Sequence, residues 1–265
     1  MVRLPRLAGM TDAAAFFDLD RTLMGGTSAF YFARAAYREG MLPLPRLVAD
    51  AASALMFRLL GASDEKSADL RDRILASVAG TPQQDLLQFV PSVVEKLIEK
   101  VRPEAQALVD MHMEAGRDVW IISASPVEVV AELAAALDMT GGLGTESELV
   151  DGVYTGKLAA PFCYGEGKAE RIHKLAVERG YDLHKCYAYS DSVSDLPMMQ
   201  VVGHPVAVNP DRALTSVAHR RGWPVVEFAR QAKRIAALST YGAGTAGLAA
   251  GGYLLGRHHG ARRVR

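Results

Sequence analysis

The sequence predicts an α/β protein: a parallel sheet with helices on both faces, an all-helical segment inserted after the first strand, and a separate apolar tail. Three observations predict this. Short, wholly apolar runs at 13–17, 119–122 and 186–189 have the length of strands buried on both faces. Strand-like and helix-like stretches alternate from Pro103 onward at the spacing of βαβ units. Each apolar run stops abruptly at small polar or acidic residues, and ligand crevices in open α/β sheets lie at the carboxyl ends of strands.

The first run ends in Asp18-Leu19-Asp20-Arg21-Thr22. Side chains two apart on an extended chain point the same way, so Asp18 and Asp20 converge beyond the strand end. Two anions that close repel each other. That cost favours a bound cation, a shared proton, or a division of labour between nucleophile and acid. Met24-Gly25-Gly26-Thr27-Ser28 reads as a glycine-containing hinge ending in a helix N-cap. From Ala29 to about Val101 the pattern is helical. Phe30, Phe32, Ala33, Ala36 and Tyr37 repeat at helical spacing until Gly40. Leu44 to Leu60 is a second amphipathic stretch, closed by Gly61. Ser63-Asp64-Glu65 opens a third that runs to Val78. Thr81-Pro82 opens a fourth, with Leu86, Leu87, Phe89, Val90, Val94, Leu97 and Ile98 as its apolar positions. The expected organisation is a helical cap over 25–101 inserted into a core made of 1–24 and 102–230.

Pro103 to Ala115 reads as a helix with proline in its first turn, ended by Gly116. The strand Val119-Trp120-Ile121-Ile122 finishes in Ser123-Ala124-Ser125, and Pro126 to Leu137 is the next helix. Gly141 to Leu158 breaks the alternation; Asp151-Gly152 between two β-like runs predicts a hairpin. Gly167 to Arg179 is a helix that opens with Lys168. The strand Cys186-Tyr187-Ala188-Tyr189 stops at Ser190-Asp191-Ser192-Val193-Ser194-Asp195. A short helix over 196–200 follows, then strands at 205–208 and 225–228 flanking a helix from about 211 to 221.

The 265 residues balance 30 Lys and Arg against 30 Asp and Glu, so no basic field argues for nucleic acid as a partner. Cys163 and Cys186 are too few for a disulfide framework or a Cys-rich zinc site and fit a reducing, cytoplasmic compartment. Residues 1–11 carry Arg3 and Arg6 but lack the apolar stretch of a signal peptide. The tail, 231–265, stands apart. Ile235 to Gly256 has no charged residue and is long enough to cross a bilayer, with basic residues on both sides. Its six glycines make it weakly apolar. Membrane association through 235–256 and a tail that is disordered or packs on the domain both stay open.

The residues with chemistry fall at strand ends and one helix start: Asp18 and Asp20, Ser123, Asp191 and Asp195, and Lys168. In a parallel sheet these share one edge. Carboxylates without Cys or His partners suit a hard divalent cation, Mg²⁺ first. Such a cation with Lys168 neutralises a phosphate, to which Ser123 donates a hydrogen bond. An aspartate can then attack phosphorus and form an acyl phosphate.

Four motifs in this order resemble the haloacid dehalogenase-like (HAD) phosphatase superfamily over about 14–228. Asp18-Leu19-Asp20-Arg21-Thr22 looks like the nucleophile motif, Ser123 the second, Lys168 the third, and Asp191-Ser192-Val193-Ser194-Asp195 the acidic fourth. A helical cap between the first and second motifs resembles subfamily IB, which includes phosphoserine phosphatase. The resemblance implies a Rossmann-like core and Mg²⁺-dependent hydrolysis of a small phosphorylated metabolite through an aspartyl-phosphate. It implies Asp18 as nucleophile and Asp20 as the acid that protonates the leaving alcohol and then activates water. Asp18, the backbone carbonyl of Asp20, and Asp191 would bind Mg²⁺. Ser123 and Lys168 would hold the phosphoryl oxygens, with Thr22 and Asp195 in support. Arg73 resembles the cap arginine that grips the serine carboxylate; as a lone helix arginine it is equally an ordinary surface residue.

Two departures stand out. Arg21 sits where a small residue is usual, and Met24 to Phe32 contains no acid to bind a substrate ammonium. Two other functions remain open on sequence: a lysophospholipid phosphatase, if the tail enters a membrane, and a regulatory protein that keeps the fold without turnover. The intact Asp18 and Asp20 pair speaks against the latter.

Overall fold

The computed structural model describes residues 11–38, 71–72, 75–76 and 78–228. The chain divides into two compact units, Met1–Val226 and Glu227–Arg265. The sheet and its helices belong to the first.

At the centre of the sheet lies β1 (Ala14–Asp18), whose five residues are all buried. The other strands of the sheet are β2 (Asp118–Pro126), β3 (Gly141–Thr145), β6 (Tyr187–Ser190), β7 (His204–Val208) and β8 (Val225–Val226). Their order is β3-β2-β1-β6-β7-β8, and every pairing is parallel. The chain thus winds outward from β1 in one direction, returns, and winds outward through β6 in the other. The boundary between β1 and β6 is the topological switch point, where such sheets open a crevice.

Alternation along β1 divides the core. Phe16 faces a cluster that includes Trp120, Ile122, Ile172, Leu175, Met198 and Leu214. This side is covered by α5 (Glu166–Arg179), α6 (Leu196–Gln200) and α7 (Arg212–Arg221). Phe17 faces the other way, stacked on Tyr189 with centroids 4.3 Å apart and edge-on to His112 of α3 (Pro103–Glu114). Both phenylalanines are essentially inaccessible, and each contributes roughly 1.5–3 kcal/mol by burial.

The region 141–158 does more than break the alternation. Its first part is β3, an ordinary parallel neighbour of β2 packed under α4 (Val127–Ala136). A Cβ on Gly141, Gly142 or Gly144 would lie 2.5 Å from Trp120, the Val130 carbonyl oxygen or the Val127 Cα. Glycine is there because the layers touch, although it is depleted in strands generally. The rest is the expected hairpin, β4 (Ser147–Val150) and β5 (Val153–Leu158), turning at Asp151 (φ 51°) and Gly152 (φ 77°).

The helical segment includes α1 (Ser28–Arg38) and α2 (Gln83–Ile98), in contact through Phe32 and Phe89. Its two connections to the sheet run side by side. The Gly25 N–H donates to the Lys100 carbonyl (2.8 Å), and the Arg102 N–H to the Leu23 carbonyl (3.0 Å). The expected helix over 44–60 and Arg73 lie outside the described residues, as does the tail segment 235–256. Among the described residues no helix is long and apolar enough to cross a membrane.

Candidate active site

The register of the sheet builds the site. Asp18 is level with Ile122 of β2, so Ser123 lies one step beyond it, and β6 ends beside it in Ser190 and Asp191. The chain then turns sharply: Leu23 N–H donates to the Asp18 carbonyl and Met24 N–H to the Leu19 carbonyl. This loop folds Asp20 and Thr22 back over the strand end.

Lys168 reaches the same point from α5. The first turn of that helix is pressed against the chain, since a Cβ on Gly167 would lie 1.9 Å from the Phe162 carbonyl oxygen. The adjacent Lys168 is buried, with Nζ 2.6 Å from Asp18 Oδ1 and 2.8 Å from Asp195 Oδ1. Asp195 also accepts the Ser190 hydroxyl (2.7 Å). Asp195 stands at the start of α6 but makes no side-chain cap bond there; its carboxylate is turned to Lys168.

The sequence-predicted residues therefore separate into groups. Asp18, Lys168 and Asp195 form one buried, directly bonded cluster. Thr22 donates to Asp191 Oδ1 at 3.5 Å, and both are buried. Ser123 is buried within β2, one residue past the last pair with β1, and its Oγ accepts the Ser125 N–H at 3.2 Å. Asp20 accepts the Ser28 N–H at 2.7 Å, which aims the N-terminus of α1 at its carboxylate.

Four residues escaped the sequence reading as parts of the site. Ser28 and Ser125 share a hydrogen bond between their hydroxyls at 2.7 Å and so join the helical segment to β2 beside Asp20. Asp211 braces the loop after β6, taking the Val193 N–H (3.0 Å) and giving its own N–H to the Asp191 carbonyl (2.7 Å). Arg21 places a guanidinium nitrogen 2.8 Å from Asp191 Oδ2. The sequence signals were the N-cap reading at Ser28, the Ser-Ala-Ser run in β2 and the unusual Arg21 inside the nucleophile motif.

Electrostatics follow from crowding these groups out of water. Burial pushes the Asp18 carboxyl well up, the Lys168 ammonium pulls it back, and Asp195, Asp191 and Asp20 push it up again. Burial also raises Asp20, against the pull of its Ser28 hydrogen bond. Asp191 is pushed up to about 6 by burial, with Arg21 opposing. Burial would lower Lys168, but the Asp18 and Asp195 carboxylates outweigh it and hold the ammonium charged.

The donor set fits a hard cation. Asp191 Oδ2 is buried and accepts no hydrogen bond. Asp18 and Asp191 offer carboxylate oxygens on either side of the switch point. Among the described residues no three His, Cys, Asp or Glu side chains group into a metal cluster, so side chains would supply two carboxylates and leave the other positions to a backbone carbonyl, water or a bound phosphate.

A sequence model for haloacid dehalogenase-like hydrolases matches residues 15–200. The chain belongs to that family. A phosphoserine phosphatase of Mycobacterium tuberculosis is 39% identical over 241 residues, covering 89% of this chain and 78% of that one. A probable phosphatase of the same organism is 41% identical over 221 residues, 82% and 76% of the two chains. Among solved structures, a Bordetella pertussis protein of unknown function superposes with a TM-score of 0.71 at 27% identity, covering 82% of this chain and 98% of that one. A phosphoserine phosphatase solved as a phospho-aspartyl intermediate analogue shares the fold, with a TM-score of 0.53 at 20% identity over 81% and 92% of the chains. This HAD-like protein is a phosphatase of the phosphoserine phosphatase-like group, and its reaction class is phosphomonoester hydrolysis.

Proposed function

We propose that this protein is a Mg²⁺-dependent phosphatase that works through an aspartyl-phosphate on Asp18. The observation that carries the reading is Lys168: a buried ammonium held 2.6 Å from Asp18 and 2.8 Å from Asp195 at the switch point of the sheet. Asp18 would attack the phosphorus of a phosphomonoester as the ester oxygen departs. Asp20, kept protonated more easily by its burial, would give that oxygen its proton. Asp20 would then take a proton from water, whose oxygen attacks phosphorus; the P–O bond to Asp18 breaks and inorganic phosphate leaves. Lys168 and Ser123 would hold the phosphoryl oxygens, while Asp195 fixes Lys168. Mg²⁺, held by Asp18, Asp191 and the Asp20 carbonyl, would supply positive charge to neutralise the phosphate. The helical segment 25–101 would act as a cap over the site.

The substrate class we favour is a small phosphate ester of an amino alcohol, with its ammonium bound elsewhere than by 24–32, which has no acid. A histidinol-phosphatase of Neisseria meningitidis is 32% identical over 219 residues, 81% of this chain and 98% of that one. Phosphoserine and histidinol phosphate both carry a phosphate ester one carbon away from an ammonium-bearing carbon. Among the described residues nothing favours a lipid phosphate.

The test is phosphate release by purified full-length protein, with Mg²⁺ or with chelator. The substrates are phosphoserine, histidinol phosphate, phosphoethanolamine and lysophosphatidate. Turnover of an amino-alcohol phosphate that disappears on chelation supports the reading. Preference for lysophosphatidate overturns the substrate class, and full activity in chelator overturns the metal dependence.

A further inference from the structure

Two cations approach the carboxylates of the site, and they are bound to different degrees. Lys168 has a side chain only 4% exposed and makes well-formed hydrogen bonds to Asp18 and Asp195. Arg21 is 39% exposed, and its guanidinium lies 2.8 Å from Asp191 Oδ2. That oxygen is nonetheless without a hydrogen bond, so the contact is one of charge alone. The other oxygen of Asp191 has only the Thr22 hydroxyl, at 3.5 Å. A carboxylate with a 4% exposed side chain is thus held by a long hydroxyl contact and by an ion pair to a partly exposed guanidinium.

The backbone sets this arrangement. Arg21 has φ 65°, in the left-handed region that favours glycine. Its N–H donates to the Gly26 carbonyl at 3.1 Å, which ties the turn to the hinge. Neither the turn nor the hydrogen bond needs an arginine side chain. A long cationic residue placed on a glycine-like backbone beside a buried acid calls for an electrostatic explanation.

We infer that Arg21 is an exchangeable counter-ion for Asp191, one that competes with the divalent cation for this carboxylate. This rests on the metal reading of the site given above. With the carboxylate otherwise uncompensated, the guanidinium occupies it. When the divalent cation binds, repulsion between the two positive charges drives the side chain toward the solvent it already half reaches. Lys168, fully paired and buried, does not exchange. The protein's own arginine therefore sets the affinity for the metal by competition, where a glycine would leave the site open.

The test is calorimetric titration of Mg²⁺ into metal-stripped, full-length protein at fixed ionic strength, comparing wild type with Arg21→Gln, Arg21→Lys, Arg21→Gly and Asp191→Asn. Arg21→Gln removes the charge and keeps a long side chain; it should bind Mg²⁺ about three- to tenfold more tightly. Arg21→Gly, which also suits the backbone, should do the same if the glutamine variant proves unstable. Arg21→Lys keeps a cation and should stay within about twofold of wild type. Asp191→Asn should lose binding. Unchanged or weaker binding by both neutral variants, with binding lost in Asp191→Asn, overturns the competition and leaves the metal site intact. Unchanged binding by Asp191→Asn overturns the metal reading and this inference with it.

Discussion

Replacing Lys168 with methionine isolates what one buried ammonium does for the site. Nζ sits 2.6 Å from Asp18 and 2.8 Å from Asp195, with all three side chains under one tenth exposed. Methionine fills most of the same volume, so packing changes little and the charge is what is lost. Removing one partner of a buried ion pair costs about 3–5 kcal/mol, because it strands the other charge. Here two carboxylates are stranded, with Asp191 and Asp20 close enough to repel Asp18. Against a total stability of roughly 5–15 kcal/mol this leaves a marginal protein. The double variant Lys168→Met/Asp195→Leu removes one of the two stranded carboxylates and leaves Asp18 unpaired, so it should recover about half of the loss. Urea unfolding of wild type and both variants, without added Mg²⁺, reads these differences. Turnover should fall by about 10²–10³-fold in either variant, since a preorganised donor to the phosphoryl group is gone. Stability of Lys168→Met within about 1 kcal/mol of wild type would refute the reasoning: the acids would not need the ammonium to stay buried.

Three other outcomes are expected. Asp18→Asn should abolish turnover by at least about 10³-fold with an unchanged far-ultraviolet circular dichroism spectrum, and should fail to trap beryllofluoride; a near-normal rate removes Asp18 as nucleophile. Ser125→Ala removes the hydroxyl that meets Ser28 beside Asp20, so kcat should fall about three- to tenfold on alkyl phosphates but much less on p-nitrophenyl phosphate, whose leaving group needs little acid help; equal losses on both would contradict a positioning role. His112 accepts the Arg117 Nε–H (2.7 Å) at Nδ1, so its Nε2–H donates to the Tyr189 hydroxyl (2.7 Å), with Phe17 and Tyr187 packed around the ring. Burial, then Arg117, lowers it to about 4. Its contribution is therefore fully present above the unfolded value near 6.5 and is lost as pH falls toward 4, by roughly 3 kcal/mol in all; His112→Phe should flatten that part of a stability–pH curve from urea unfolding.

The sheet was legible because its strands carry their burial in their composition. Runs such as Ala14 to Phe17 and Val119 to Ile122 are buried on both faces, and such strands need no alternation to be recognised. β3 was not, because Gly141, Gly142 and Gly144 are chosen by what lies above and below them, which local propensity does not encode. The site was legible where chemistry coincides with a strand or helix end: Asp18, Lys168 and Asp191 fall where an element starts or stops, and Ser123 where the apolar run of β2 gives out. Ser28, Ser125 and Asp211 were not, because their partners lie up to 97 residues away and only the folded chain pairs them. Asp195 was legible only as a supporting residue; in the structure its side chain makes no cap bond at the start of α6 and bonds the Lys168 ammonium and the Ser190 hydroxyl.

The charges at the switch point constrain the order of events. Four carboxylates, Asp18, Asp20, Asp191 and Asp195, meet one ammonium and one guanidinium. Ionised, they leave two negative charges uncompensated in a place that burial has made costly for any charge. A phosphomonoester near neutral pH is itself doubly negative, so the bare protein should repel its own substrate. A divalent cation held by Asp18 and Asp191 would cancel that excess, and phosphate affinity would then depend on prior cation binding rather than merely benefit from it. Phosphate should then bind measurably to the Mg²⁺-loaded protein and at least tenfold more weakly to protein in chelator, a gap worth about 1.4 kcal/mol. Asp18→Asn, which removes one of the excess charges, should narrow it. Equal phosphate affinity with and without the cation would mean that Lys168 and Ser123 suffice, and that the acids are screened by something other than a metal.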